Sequence, residues 1–267
     1  MRPQLFEFED QSWFPSSLRH AMTSYLAAAY KITPFPKLWA DRISNVLRPD
    51  RLNEIVDLGS GAGGPIALVT GELKRRGFDT TVTLTDLYPD TQCPRRTDPA
   101  IRYWPQPVDA AAVPPELTGI RTLFAAFHHF RPVQARRILQ DALQARRSIC
   151  VFEATSRSPL PIASTLLIPL LVLLLMPRVR PLSWQQILFT YLVPILPLLI
   201  FWDGFVSQLR TYSTAELIEM TSHLPAPDYR WEIGTIQAPG LPVGVPYLIG
   251  YVLEGYTSSQ PKKEALW

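Results

Sequence analysis

The sequence predicts an α/β fold built on a mostly parallel sheet. Three observations predict it. Short apolar runs alternate with amphipathic helical runs over residues 53–153, and residues 54–65, EIVDLGSGAGGP, form a glycine-rich turn between a strand and a helix. Two further apolar runs, 229–236 and 245–253, are joined by a short glycine- and proline-rich connection. The alternation favours a parallel sheet covered by helices on both faces, and the short connection favours a closing antiparallel pair.

Residues 1–52 are predicted to form an N-terminal helical cap. Apolar spacing indicates a helix ending at Tyr30, with Ser16 or Ser17 as its N-cap. A second helix is predicted over 37–47, beyond two prolines.

The elements of the core follow in order along 53–157 and resume over 207–257. The predicted strands before the closing pair lie around Ile55–Val56, at 82–87, at the start of 123–130 and at 148–153. A turn with the two histidines completes 123–130, and the predicted helices cover 66–76 and 134–146. Ser213 and Glu216 fit a capping box that opens one more helix. Residues 258–267 are predicted to be a loose tail.

Residues 158–206 form a hydrophobic insertion. Its two uncharged runs, 161–176 and 187–202, each contain 16 residues. At 1.5 Å per residue such a helix is about 24 Å long, short of the ~30 Å hydrocarbon core. The insertion leaves the predicted sheet just after a strand, at the edge where α/β sheets bind ligands.

Three interpretations of the insertion compete: two full spans, a helical hairpin that dips into one leaflet, and an apolar lid or dimer interface. Arg178 and Arg180 lie between the two runs. Full spans would carry these arginines to the far side of the membrane, against the positive-inside tendency. A shallow hairpin keeps them near the headgroups and tolerates short, proline-kinked helices, so it is the favoured interpretation.

Composition limits the other possibilities. A net charge of +3 in 267 residues, without a basic stripe, argues against a nucleic-acid partner. Cys93 and Cys150 are far apart, which predicts neither a disulfide framework nor a metal site and is typical of a reducing compartment. The N-terminus has no apolar signal region. We therefore expect a cytoplasmic protein, associated with the membrane through 158–206.

The glycine turn alone fits two cofactors. Gly59, Gly61 and Gly64 have the GxGxxG spacing of a dinucleotide site, and Asp86 lies 86 − 64 = 22 positions beyond, as an NAD site requires. The same stretch also has the spacing Asp57-x-Gly59-x-Gly61-x-Gly63.

The second spacing resembles motif I of the class I S-adenosylmethionine (SAM) methyltransferases. The segments VTLTDL (82–87), PVDAAAVP (107–114) and LFAAFHHF (123–130) also resemble that family, and the resemblance covers about 54–153 well and 202–254 moderately. The closing antiparallel pair favours this family over a dehydrogenase, whose sheet would continue with parallel units. The resemblance implies a Rossmann-like seven-stranded sheet, mostly parallel with a C-terminal antiparallel hairpin, and SAM as the cofactor.

The resemblance also implies the cofactor residues. The turn at the methionine part of SAM comprises Asp57, Gly59, Ser60, Gly61 and Gly63. Asp86 would accept the ribose hydroxyls, Leu87 would pack on the adenine, and Asp109 with Ala110 would lie at its amino edge. The structural alternatives are a strand-end turn for Asp86 and a helix cap for Asp109.

His128 and His129 are the candidate bases. They follow a predicted strand where a substrate pocket would open, and histidine titrates near neutral pH. A base is required only for an undissociated acceptor, and the alternative for both histidines is a packing role. Glu153 either faces the pocket or caps its strand.

The favoured function is a SAM-dependent methyltransferase that methylates a hydrophobic small molecule or lipid at a membrane surface. One alternative is a soluble natural-product methyltransferase with an apolar lid. The other is a membrane-tethered SAM-binding module without turnover.

Overall fold

A single seven-stranded sheet organises the chain. The computed structural model describes residues 2–49, 51–61, 63–89, 98–240 and 243–253. The strands are β1 (Asn53–Leu58), β2 (Thr80–Thr85), β3 (Ile101–Tyr103), β4 (Ile120–Phe124), β5 (Ile149–Phe152), β6 (Tyr229–Ile236) and β7 (Val245–Val252). Their spatial order is β3-β2-β1-β4-β5-β7-β6.

The sheet is parallel except at one end. Strands β1 to β5 pair with one another only in parallel, whereas β7 runs antiparallel to both β5 and β6. The predicted seven-stranded fold with a closing antiparallel pair is therefore confirmed. The order reverses between β1 and β4, so a crevice opens at the carboxyl ends of those strands.

Nine helices lie within the described residues. They are α1 (Ser16–Tyr30), α2 (Phe35–Ile43), α3 (Ile66–Arg75), α4 (Pro132–Gln144), α5 (Pro159–Ser164), α6 (Ile168–Leu175), α7 (Trp184–Ile187), α8 (Ile195–Arg210) and α9 (Thr214–Ser222). The capping box of Ser213 and Glu216 is present at the start of α9.

Several boundaries differ from the sequence prediction. Helix α2 starts at Phe35 rather than 37, because Pro36 lies in the first turn, where its missing N–H costs nothing. Helix α1 has Pro15 at its N-cap and no side-chain capping bond, so the predicted serine cap is wrong. Strand β4 starts at Ile120, earlier than predicted, and ends at Phe124, and the predicted turn at the histidines is a 3₁₀ turn over 127–129.

Strand β3 is the one strand that the sequence does not predict. It has only three residues and extends the sheet beyond β2, where Ile101 pairs with Val82. The predicted tail 258–267 and Cys93 lie outside the described residues.

Two apolar layers cover the sheet. Along β5, Cys150 and Phe152 pack in the layer that contains α2 and α3, whereas Ile149 and Val151 pack in the layer that contains α4 and α9. This alternation is the two-residue period of a strand buried on both faces.

A third apolar cluster joins the N-terminus to the insertion. Met22 and Tyr25 of α1 pack with Val172 of α6 and with Leu196 and Ile200 of α8. The insertion thus comprises the short helices α5 to α7 and most of the longer α8, and α1 supports it from one side.

The insertion contains one helical stretch with the length and composition of a membrane span. It covers Pro159–Arg178, and 17% of its apolar window is buried inside the protein. The second apolar run is bent by 84° between Trp184–Leu192 and Ile195–Arg210. The bend lies at Pro194, next to the N-terminus of α8.

Gly119 provides a test of this packing. A Cβ atom there would lie 2.6 Å from the carbonyl oxygen of Glu54, whereas one at Gly71 in α3 would meet open space. We expect Gly119→Ala to lower the free energy of unfolding by about 1–3 kcal/mol through the clash. Gly71→Ala, the matched control, should raise it by up to ~1 kcal/mol through helix propensity. Urea unfolding measures both, and equal effects of the two variants would contradict the close approach of residue 119 to β1.

Candidate functional site

The glycine turn lies between β1 and α3 at the carboxyl edge of the sheet. Gly59, Gly61 and Gly63 have φ angles of 60°, 49° and 90°, which are strained for any residue with a Cβ. Ser60 donates from its backbone N–H to the carbonyl of Thr85, 2.9 Å away, so the turn is held against the end of β2.

Asp86 lies directly after β2 and contacts this turn. Its Oδ2 accepts a hydrogen bond from the Gly61 N–H at 2.8 Å, and its Oδ1 accepts one from Tyr88 N–H at 2.9 Å. The neighbouring Leu87 is about half exposed. A carboxylate has about four lone-pair sites, so Asp86 keeps acceptor capacity for a ligand beside an open apolar side chain.

The other predicted cofactor residues lie nearby but differ in their contacts. Asp57 is buried, and its Oδ1 accepts from the hydroxyl of Thr122 at 2.7 Å, which ties β1 to β4. Asp109 accepts from the Ala111 N–H at 2.8 Å in a short turn, and Ala110 is buried. The carbonyl of Asp86 accepts from the N–H of Val108, so segment 108–110 lies beside the end of β2.

His128 and Glu153 form a buried pair just beyond the ends of β4 and β5. The Nδ1 of His128 lies 2.7 Å from Glu153 Oε2, and the His128 N–H donates to Glu153 Oε1 at 2.9 Å. His128 is only 3% exposed. An ionised carboxylate only accepts, so with Glu153 in that form Nδ1 of His128 carries the ring proton, and a neutral ring keeps a lone pair on Nε2.

The N-terminal segment, residues 2–14, covers the other side of these histidines. Glu7 is 2% exposed, and its Oε1 lies 3.9 Å from Nε2 of His128. Its Oε2 lies 3.4 Å from Nδ1 of His129, and Asp10 Oδ1 lies 2.8 Å from the same nitrogen.

Helix α8 holds this segment in place. The carboxylate of Asp203 accepts from the N–H groups of Phe8 and Glu9 at 2.8 and 3.1 Å. Arg210 donates to Asp10 Oδ2 at 2.7 Å and to the carbonyl of His129 at 2.7 Å. The sequence predicts none of these contacts, because they join positions separated by about 80 to 200 residues.

The cluster perturbs the titration of its members. Burial raises the pKa of Glu9 to about 7, and the Asp203 carboxylate acts in the same direction. Burial lowers the pKa of His129, but Glu7 and Asp10 outweigh burial and raise it to about 9. Burial also raises the pKa of Asp10, but its close contact with His129 and its hydrogen-bonded ion pair with Arg210 hold it well below its usual value.

Comparison with known proteins identifies the fold. No family model matches the chain, and no curated protein matches it. Among solved structures, the plantazolicin methyltransferase BpumL in complex with SAH is similar, with a TM-score of 0.50 and 13% identity, over 92% of this chain and 94% of that one. At this identity the similarity shows the fold alone, which is the α/β fold of SAM-dependent methyltransferases.

Two other structures cover less of their own length. LepI in complex with SAM matches 80% of this chain and 46% of its own, with 16% identity and a TM-score of 0.46. The pyocyanin biosynthetic protein PhzM matches 81% of this chain and 54% of its own, with 15% identity and a TM-score of 0.45. This chain therefore spans about half the length of these two proteins.

Hydrogen exchange tests whether the hydrogen bonds of Asp203 hold the N-terminal segment in place. Asp203→Ala removes both acceptors of the Phe8 and Glu9 amides, and each hydrogen bond is worth about 0.5–1.5 kcal/mol. We expect exchange at these amides to be about 10- to 100-fold faster, measured by mass spectrometry. Glu219→Ala, at an exposed position of α9, should leave their exchange unchanged. Equal protection in both variants would contradict this role.

Proposed function

We infer that this chain is a SAM-dependent methyltransferase whose acceptor is a hydrophobic small molecule. The observation that carries the inference is the contact between Asp86, which follows β2, and the glycine turn, which follows β1, next to the point between β1 and β4 where the strand order reverses. There, Asp86 would accept the ribose hydroxyls, the turn would adjoin the methionine part, and Leu87 with segment 108–110 would adjoin the adenine. The similarity of the fold to a methyltransferase that binds SAH supports this assignment.

The acceptor would bind beside the cofactor, at the ends of β4 and β5. His128, His129 and Glu153 lie at this position, and we propose that they activate the acceptor. The SAM methyl is already electrophilic, so the main contribution of the protein is to align the acceptor, the methyl carbon and the sulfur.

We further propose that the insertion rests on the cytoplasmic face of a membrane as a shallow hairpin. Many of its large apolar side chains are exposed, namely Leu160, Leu166, Leu167, Leu170, Leu171, Leu174, Trp184, Ile187, Tyr191, Leu192 and Leu198. So many exposed large apolar side chains in one segment favour an apolar partner. Arg178 and Arg180 at its turn suit anionic headgroups, and the 84° bend argues against a second straight span.

Cofactor binding is tested by thermal unfolding with S-adenosylhomocysteine. A ligand at 100 times its Kd stabilises by about 2.7 kcal/mol, so the melting temperature should rise by several degrees. Asp86→Ala should weaken binding by about 100-fold, since it removes charged acceptors of the ribose hydroxyls. Asp98→Ala is the matched control, because Asp98 makes the same kind of turn contact, to Ala100, away from the site. Stabilisation by NAD instead would overturn the assignment.

A turnover assay distinguishes an active methyltransferase from a SAM-binding module that does not catalyse methyl transfer. Incubation of lipid and metabolite extracts with methyl-labelled SAM should give a labelled hydrophobic product. Binding of SAM without any labelled product would favour the non-catalytic module.

Membrane docking is tested by flotation with vesicles of phosphatidylcholine and phosphatidylglycerol. The wild-type chain should float, and Leu166→Glu/Leu170→Glu should not, because charges enter the apolar face. The control Val133→Glu/Ile218→Glu changes two exposed apolar residues on α4 and α9 and should still float. If the wild-type chain stays unbound and the first variant loses activity, the insertion is a lid, as in the soluble alternative.

A further inference from the structure

We propose that Glu7, His128 and His129 form a binding site for one divalent transition-metal ion of the zinc type. One carboxylate oxygen and one ring nitrogen from each histidine all lie within 4.8 Å of one another. No metal site follows from the cysteine pattern of the sequence, and this one brings together residues more than 100 positions apart.

The distances between these ligand atoms are compatible with a single bound metal ion. Two ligands about 2.1 Å from a tetrahedral ion lie about 3.4 Å apart. Glu7 Oε2 and His129 Nδ1 are separated by 3.4 Å, and Glu7 Oε1 and His128 Nε2 by 3.9 Å. The second separation exceeds the tetrahedral value by 3.9 − 3.4 = 0.5 Å and involves the other oxygen of Glu7, so a small shift of this side chain would bring its carboxylate and both ring nitrogens to one ion.

Each histidine has one ring nitrogen that is oriented to bind a metal ion. Nδ1 of His128 is engaged by Glu153, which leaves the Nε2 lone pair for a metal, the carboxylate–histidine–metal arrangement that orients histidine ligands. Nδ1 of His129 is buried and makes no hydrogen bond of regular geometry, although Asp10 Oδ1 is 2.8 Å away. The nearby oxygens thus lie beside this nitrogen rather than along its N–H direction.

Charge favours a cation at this position. Three carboxylates contact the two rings, those of Glu7, Asp10 and Glu153, and one guanidinium, that of Arg210, contacts Glu7 and Asp10. With His129 protonated, as its raised pKa indicates, the sum is −3 + 1 + 1 = −1, and a divalent ion that displaces this proton brings it to −3 + 1 + 2 = 0. Uncompensated buried charge is costly, so the ion would stabilise this cluster.

Two imidazoles with one carboxylate are typical of zinc and related ions, and three protein ligands leave a fourth position open. The His129 side chain is 30% exposed, which provides an entry path. Under the proposed function, an acceptor oxygen at the open position would lose its proton more easily, because a bound divalent ion lowers its pKa. His128 would then act as a ligand and not as the base.

Metal binding by the full chain tests the proposal directly. After removal of metal with a chelator, Zn²⁺ titration by calorimetry should give one ion per chain, and Co²⁺ should give the d–d absorption of a four-coordinate site with nitrogen ligands. Glu7→Gln and His128→Ala should weaken Zn²⁺ binding by at least about 100-fold, and Glu153→Gln by about 10- to 100-fold. His20→Ala and His223→Ala, which alter the two histidines outside the cluster, are the controls.

The outcomes of these experiments distinguish failure of the metal site from failure of the SAM assignment. Substoichiometric Zn²⁺ binding, or binding unchanged by Glu7→Gln and His128→Ala, overturns the metal site. The Co²⁺ spectrum is recorded on the wild-type chain, so it decides the question even if a variant does not fold. Stabilisation by S-adenosylhomocysteine in the same metal-free preparation reports on the cofactor assignment independently.

Discussion

The contacts of the Arg210 guanidinium hold together the residues around His128 and His129, where the methyl acceptor is proposed to bind. This guanidinium is 4% exposed, donates to the backbone carbonyls of His128 and His129, and pairs with the carboxylates of Glu7 and Asp10. A buried guanidinium is tolerated only when its N–H groups find acceptors, and removal of one partner of a buried pair costs about 3–5 kcal/mol. Arg210 therefore fixes three parts relative to one another: the 3₁₀ turn 127–129 with its two histidines, the N-terminal segment and the end of α8.

Helix α8 connects this cluster to the apolar insertion. Its 16 residues begin at Ile195, within the hairpin, and end at Arg210. Leu196 and Ile200 pack against α1, whereas Asp203 and Arg210 hold the N-terminal segment. One continuous helix, about 24 Å long, thus joins the surface proposed to rest on lipid to the residues that would meet the acceptor. A displacement of the hairpin would reach the cluster through a rigid element rather than through a flexible linker.

The sequence predicted the sheet well, because its strands and helices carry clear periodicity and the glycine turn has a fixed spacing. It missed β3, whose three residues are too few to show a period. It assigned Asp86 and the glycine turn to one cofactor site, but it did not predict that the Asp86 carboxylate accepts from the Gly61 N–H. It could not find Glu7, Asp10 or Arg210, because isolated charges in an N-terminal segment or at a helix end look like solvated residues. Only the packing of α8 and the N-terminal segment against the histidine turn brings them together.

The placement of two carboxylates on opposite sides of His128 limits what the ring can do. Glu153 fixes the proton on Nδ1, and this arrangement serves a general base and a metal ligand equally well. Glu7 distinguishes the two roles, because its oxygen lies 3.9 Å from the remaining lone pair. For a base this is an obstacle, since an acceptor hydroxyl would have to displace a carboxylate held by Arg210 and by the Ser207 hydroxyl. For a metal ligand the same carboxylate is a second donor, already held in place, and the ring needs no rearrangement.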